Sequence, residues 1–337
     1  MRKPIAELFP LLAEPRRIFI TTHAKPDGDA MGSSLALYHY FSKKGHEPVV
    51  VTPTEYGMYL HWLPGNASVV VWPEATEKTQ QLLDEADIIF CLDFNALDRI
   101  NGLGELVSKA KAPKVLIDHH LDPDGFEDYR MWSPHACATA ELVFDFIDMQ
   151  GDKELIDKNI ATCIYTGLVT DSGSFRYPAV TPHVHRMTAT LMESGMEHWQ
   201  VHRKIYDSFS ENRLRFFGHC LKDKMVVLPE YRAAYFAVSR EEMDMFSIKT
   251  GDMEGLVNYL LNMDEVIFAA LITERDGEVK LSLRSKGDFP ANEFAGKYFH
   301  GGGHSNAAGG TSYESLEKTV ETFTKGLEEY KQLLRTI

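Results

Sequence analysis

Four runs of β-branched and aliphatic residues constrain this chain most: RRIFITTH (16–23), HEPVVVTP (46–53), ADIIFCLDF (86–94) and KVLIDHH (114–120). Their apolar cores are continuous rather than alternating, the pattern of strands covered on both faces. Between the first two lies DGDAMGSSLALYHYFSKKG (27–45), an amphipathic stretch that opens on acidic capping residues and stops at Gly45. Such alternation implies an α/β fold with a mostly parallel sheet flanked by helices. Ligands of these sheets gather at the carboxyl ends of the strands. His23, Asp93 and the run Asp118, His119, His120 all stand at such ends. Polar groups buried there without partners cost about 1–3 kcal/mol each, so the coincidence points to one shared binding site.

Helices are expected at 138–149 and 153–169, the second running into TDSGSFRY (170–177), and again at 182–194. Residues 197–220 read as a helical connector, which separates a first domain, 1–196, from a smaller α/β domain, 221–337. In the latter RAAYFAVS, EVIFAALITER and GEVKLSLRS read as strands, the last two joined in a hairpin at Asp276-Gly277. GGGHSNAAGG (301–310) reads as a glycine-rich loop before or at a helix start, and 315–334 as an amphipathic helix.

Charge narrows the partners. Lys plus Arg number 35 against 49 Asp plus Glu, a net charge of −14. That argues against tracking long duplex nucleic acid, which rests on broad phosphate neutralisation. A small anionic substrate remains open to a cleft whose field cations reverse locally. No apolar run reaches the roughly 18 residues of a membrane span, and MRKPIAELFP lacks the apolar core of a secretory signal. Cys91, Cys137, Cys163 and Cys220 form no C-x-x-C pair and read as buried thiols of a reducing, cytoplasmic setting.

In HAKPDGD (23–29) the aspartates can cap a helix or converge with His23 on a cation. Carboxylate and imidazole donors favour Mn²⁺, Mg²⁺ or Fe²⁺ over a thiolate-type zinc site. With Asp93 of CLDFNALDRI, the DHH run and Asp171 of TDSGSF, the set His23, Asp27, Asp29, Asp93, His119 and Asp171 offers six ligands to two divalent ions. His183 and His185 have ligand-like spacing but read as solvated surface histidines. Tyr298, Phe299 and His300 could stack a nucleobase, with core packing the default for the aromatic rings.

Taken in order, H-x-x-x-D-G-D, the strand-end Asp, D-H-H, T-D-S-G-S-F and G-G-G-H-x-x-A-A-G resemble the DHH/DHHA1 phosphoesterase family over nearly the whole chain. Within it the chain looks most like the short nanoRNase (oligoribonuclease)/pAp phosphatase branch. The resemblance implies a DHH catalytic domain and a DHHA1 substrate-binding domain with the active site in the cleft between them. It implies that His23 and Asp27 hold one metal, that Asp29, His119 and Asp171 hold the other, and that Asp93 bridges both. His120 would meet the substrate phosphate, with Asp118 orienting its neighbours. Arg284 and His304 would clamp phosphate groups, and Gly301, Gly302 and Gly303, with Ser305, would bring backbone N–H groups close to an anion.

The implied metal is manganese, with magnesium the alternative. Two such ions about 3.5–4 Å apart make hydroxide at neutral pH for attack on phosphorus. The implied substrates are oligoribonucleotides of a few residues, pAp or pApA. Cyclic di-AMP hydrolysis is the rival within the family, and a non-catalytic nucleotide sensor the rival outside it. A complete ligand set argues against the sensor. A homodimer is in keeping with the resemblance alone.

Overall fold

The computed structural model describes residues 2–207, 209–249 and 251–337, and the chain divides into two compact units, Met1–Ser208 and Phe209–Ile337. In the first, β1 (Lys3–Pro4), β2 (Arg17–Thr22), β3 (Glu47–Thr52), β4 (Val70–Val71), β5 (Ile88–Leu92), β6 (Lys114–Asp118) and β7 (Tyr129–Trp132) form one sheet in the order β1-β7-β6-β5-β2-β3-β4. Every pairing in it is parallel. Around it stand α1 (Gly28–Lys43), α2 (Thr76–Asp84), α3 (Leu103–Lys109), α4 (Thr139–Met149), α5 (Lys158–Asp171), α6 (Pro182–Glu193) and α7 (His198–Tyr206).

The strands feed both faces. Ile18, Ile20, Phe90 and Ile117 pack with Met31 and Leu35 of α1, Val143 of α4 and Ile164 of α5. Their neighbours Phe19, Ile89, Cys91 and Leu116 pack with Leu83 of α2 and with Leu103 and Val107 of α3. Two-sided burial is the physical reason these strands carry no polar alternation. Helices α1 and α5 touch backbone to backbone, since a Cβ on Gly32 would lie 2.5 Å from the Cys163 carbonyl oxygen and 2.9 Å from the Gly167 nitrogen. The helix expected from 153 begins later. Lys153–Leu155 is a single 3-10 turn, and α5 restarts behind Asp157, whose side chain accepts the N–H of Asn159 and Ile160.

The second unit holds β8 (Met225–Leu228), β9 (Ala233–Val238), β10 (Phe268–Arg275), β11 (Glu278–Ser285), β12 (Gly302–His304) and β13 (Ala307–Ser312) in the order β12-β13-β11-β10-β9-β8. Only β9 and β10 run parallel; the other neighbours are antiparallel. Its helices are α8 (Glu211–His219), α9 (Arg240–Met245), α10 (Ala291–Tyr298) and α11 (Leu316–Thr336). The β10–β11 hairpin turns at Asp276-Gly277, where Gly277 has φ +78°. Phe294 of α10 and Phe323 and Leu327 of α11 close one face over Phe268, Leu281 and Leu283. Phe299 is fully buried in the same cluster and Tyr298 packs against it, while His300 is exposed.

One expectation is corrected here. Residues 301–310 do not form a loop leading into a helix; they follow α10 and build the β12–β13 hairpin at the sheet edge. Several glycines serve backbone packing. A Cβ on Gly301 would lie 2.1 Å from the Gly309 carbonyl oxygen, and one on Gly310 would lie 2.7 Å from the Phe299 Cβ. All four cysteines are buried and free. Among the described residues no helix is long and apolar enough to cross a membrane.

Candidate metal centre

Strand β2 lies between β5 and β3, so the winding reverses there and a crevice opens at the carboxyl ends of β2 and β5. His23 leaves β2 and Asp93 leaves β5 into that crevice, with His23 Nε2 3.5 Å from Asp93 Oδ2. Asp93 has φ +64°, a left-handed conformation that aspartate tolerates better than most residues. Asp27 is the N-cap of α1. Its Oδ1 accepts the N–H of Asp29 at 3.0 Å and of Ala30 at 3.1 Å, and the same atom lies 3.8 Å from His23 Nε2. The carboxylate that caps the helix is thus the same one the sequence offers to a cation.

A second group sits beside the first. His119 Nε2 lies 3.4 Å from Asp171 Oδ2, 3.6 Å from Asp93 Oδ1 and 3.9 Å from Asp29 Oδ2. Asp29 is pinned beneath the first turn of α4, accepting the N–H of Thr139 at 2.6 Å and of Ala140 at 2.9 Å. The Thr139 hydroxyl donates to Asp93 Oδ1 at 2.9 Å. Both imidazoles are oriented from behind: Nδ1 of His23 is 2.9 Å from the Ala24 carbonyl oxygen and Nδ1 of His119 is 3.1 Å from that of Ala136. With Nδ1 turned to a carbonyl oxygen, Nε2 faces the carboxylates, where its lone pair is available to a cation placed among them. Asp118 is fully buried, and its Oδ1 lies 2.8 Å from His120 Nδ1 while accepting the His120 N–H at 3.2 Å.

These residues fit divalent cations. His23, Asp27 and Asp93 form one group with ligand atoms within 4.8 Å of one another; Asp29, His119 and Asp171 form another; Asp93, Asp118 and His120 form a third. Asp93 belongs to two of the three. No lysine or arginine pairs with Asp27, Asp29, Asp93, Asp118 or Asp171 among the described residues. The carboxylates therefore strain against each other. Burial and the charges of Asp93, Asp171 and Asp27 hold Asp29 well above the ordinary carboxylate range. Burial pushes Asp171 up to about 6, with His119 opposing and Asp27 and Asp93 reinforcing the rise. Burial works against the charge of His23, yet its hydrogen bonds to the accepting carboxylates of Asp27 and Asp93 lift its pKa well above the usual value. Asp93 runs the other way: burial opposes its charge, but His23, His120 and His119 hold it far below the usual range. Such a cluster keeps protons where a cation of higher charge relieves the repulsion.

Thr139 and the amides of Thr139 and Ala140 escape a sequence reading, because a backbone N–H has no signature and a lone threonine at a helix start reads as a cap. Thr139→Val keeps the shape and removes the hydroxyl. It is expected to lower turnover or metal affinity by about 10–100-fold, as other supports of metal ligands do, with Thr139→Ser restoring it. A manganese titration with parallel kinetics checks this; Thr139→Val values within twofold of wild type would leave the hydroxyl without a role.

Outside this cluster, His183 Nε2 is hydrogen-bonded with Asp145 Oδ1 at 2.8 Å, so the ring is not purely solvated; His185 is exposed, stacked on Phe175. In the second unit Arg284 lies on β11 opposite Ala307 of β13, and Ala307 lies opposite His304 of β12. Directly opposed residues share a face, so Arg284 and His304 stand in one row. Among the described residues Arg284 forms no ion pair; its guanidinium donates to the Leu283 carbonyl oxygen at 3.0 Å. Gly302 and Gly303 are on β12 with Gly301 just before it, and Ser305 is at the turn, where its carbonyl oxygen accepts the Ala291 N–H at 2.7 Å.

Comparison with known proteins gives a consistent picture. The DHH family, N-terminal domain, matches residues 17–168, and the DHHA1 domain matches residues 233–334. The bifunctional oligoribonuclease and PAP phosphatase NrnA of Thermus thermophilus is 29% identical, over 91% of this chain and 87% of the relative. The protein of the same name from Bacillus subtilis is 24% identical, over 88% and 89%. A crystal structure of an exopolyphosphatase-related protein from Bacteroides fragilis superposes with a TM-score of 0.94 at 38% identity, covering 98% of this chain and 97% of that one. With the motifs, both domains and the crevice cluster in agreement, this chain belongs to the DHH family and carries its N-terminal domain followed by a DHHA1 domain.

Proposed function

We propose that the protein is a metal-dependent phosphohydrolase of short nucleotide substrates: oligoribonucleotides of a few residues, pAp and pApA. The observation that carries this reading is the gathering of His23, Asp27, Asp29, Asp93, His119 and Asp171 at the switch point of a parallel sheet, with no lysine or arginine paired to these carboxylates among the described residues. The NrnA relatives, named as oligoribonuclease and PAP phosphatase, support the substrate class.

In this reading His23 and Asp27 hold one divalent ion, Asp29, His119 and Asp171 hold a second, and Asp93 serves both; manganese is favoured by the donor set, with magnesium the alternative. Bound there, the ions supply Lewis acidity toward a phosphoryl oxygen and acidify water in the site. The chain's own residues do the rest. Thr139 and Ala140 fix the Asp29 carboxylate, and Ala24 and Ala136 set the tautomers of His23 and His119. Asp118 holds the His120 ring through Nδ1, and in this reading His120 meets a phosphoryl oxygen of the substrate. Arg284 and His304, with the backbone of Gly301 to Gly303 and Ser305, bind phosphate. Buried, unpaired thiols accord with a cytoplasmic enzyme.

The test is a side-by-side turnover measurement on pAp, pApA, cyclic di-AMP and RNA of two to ten nucleotides with Mn²⁺ present. Turnover on pAp, pApA and the shortest RNAs, and none after chelation, is the expected result. A strong preference for cyclic di-AMP would move the protein to the rival activity. Binding without turnover on every substrate would make it a sensor.

A further inference from the structure

The sheet of the second unit has one face that is only half covered. Ala269 and Leu271 of β10 join an apolar cluster with Phe216 and Phe217 of α8 and Leu256 and Leu260. On the same face the cross-strand partners Arg284, Ser282 and Lys280 of β11 lie opposite Ala269, Leu271 and Thr273. The face continues through Ala307, Gly309 and Thr311 of β13, and through His304 and Gly302 of β12. Every one of these β11, β13 and β12 residues is partly or fully exposed, and none belongs to a core cluster.

Three rungs cross this open strip. The first carries Arg284, Ala307 and His304. The second carries Ser282, Gly309 and Gly302 and is bare without steric need. A Cβ on Gly302 would meet nothing within 4 Å, and one on Gly309 would meet only the Leu281 carbonyl oxygen at 3.5 Å. Their neighbours differ: Gly303 has φ +133°, and a Cβ there would lie 2.7 Å from the Ala307 carbonyl oxygen.

The third rung carries Thr311 and Lys280, whose Nζ donates to Thr311 Oγ1 at 2.9 Å and lies 3.0 Å from Glu278. The Thr311 N–H donates to the Phe299 carbonyl oxygen at 2.7 Å, which brings exposed His300 to this level. The His300 ring lies 5.9 Å from that of Tyr313 at 51°, and Tyr313 is 72% exposed. A lone exposed tyrosine is ordinary. Two adjacent exposed rings beside a lysine, at the end of a bare strip that starts at an arginine, match the elements that hold single-stranded nucleic acid. Rungs are about 7 Å apart along a strand, comparable to successive phosphates of a stretched single strand.

We infer that this strip is a track for a single-stranded oligoribonucleotide of three or more residues. Arg284 and His304 take one phosphate, the ribose-phosphate backbone passes over Gly309 and Gly302, Lys280 takes a phosphate about two residues further on, and a base stacks on His300 and Tyr313. The inference rests on the proposed function and adds to it the element that favours longer substrates over pAp, which ends before the third rung.

The experiment compares kcat/KM for RNA of three to five nucleotides with kcat/KM for pAp, using the full chain with Mn²⁺. Tyr313→Ala and Lys280→Ala are each expected to lower the RNA-to-pAp ratio about tenfold, the size of one lost stacking or phosphate contact. Gly309→Val, a β-branched residue suited to a strand, is expected to lower the same ratio by filling the strip. Arg284→Ala lowers both activities. An active wild type whose ratio stays within twofold in all three strip variants overturns the track and leaves the phosphohydrolase reading standing. A wild type inert on pAp and RNA alike overturns that reading, and the track with it.

Discussion

Asp93→Asn is expected to reduce turnover on every substrate by at least about a thousandfold, the scale on which loss of a major electrostatic catalytic element is felt, while the fold survives. Asparagine keeps the side-chain shape and tolerates the left-handed backbone at φ +64° better than alanine does. The change therefore isolates charge. The Asp93 carboxylate lies within reach of His23, His119 and His120 together, at 3.5, 3.6 and 3.7 Å. Neutralising it removes an anionic ligand from both proposed ion positions at once. Turnover and bound manganese per chain are the measurements, with thermal denaturation of the metal-free protein as the control for folding. Activity within tenfold of wild type at saturating Mn²⁺ would remove Asp93 from the shared position.

The second large effect comes from a residue with no polar atom in its side chain. Gly167→Ala on α5 would place a Cβ 2.5 Å from the Ala140 Cβ and 2.6 Å from Asp29 Oδ1. The first neighbour is a methyl carbon fixed to the α4 backbone, and the second is a carboxylate oxygen of an aspartate tied to two amides of α4. Forcing a methyl group into such a contact costs about 1–3 kcal/mol. The strain falls on Asp29, so metal affinity is expected to drop about 10–100-fold, as when a support of a ligand is lost. Gly218→Ala on α8 is the matched control: a Cβ there meets nothing within 4 Å, and alanine favours a helix over glycine by up to about 1 kcal/mol. Thermal denaturation and manganese titration of both variants decide it. A Gly167→Ala protein as stable and as tightly metal-bound as wild type would show that α4 and α5 part without cost.

Much of the catalytic half is legible in the sequence because its chemistry is local. His23, Asp93 and Asp118 to His120 each follow directly from an apolar run, and the topology of a parallel sheet brings strand ends together without further information. What stays illegible is what acts through backbone or through absence. The α4 amides under Asp29 have no letter of their own. Gly167 and Gly32 look like any helical glycine until α1 and α5 are seen in contact. The two-residue strands β1 and β4 are too short to carry a period. The stretch 301–310 reads as a loop because glycine is depleted from strands, yet it is a hairpin in which Gly301, Gly303 and Gly310 let backbones close on one another. His300 and Tyr313 lie on either side of that hairpin and meet only once it folds.

The winding reversal between β2 and β5 also makes the metal centre a proofreader of the sheet. Side chains alternate faces along a strand, so a shift of β5 by one position against β2 would carry Asp93 away from His23. Thr22 is opposite Leu92 and Ile117 is opposite Leu92 in the observed alignment, and the ligands follow one residue or two beyond. A misaligned intermediate would therefore have no complete cage to close on an ion, and cation uptake would reward correctly threaded chains alone.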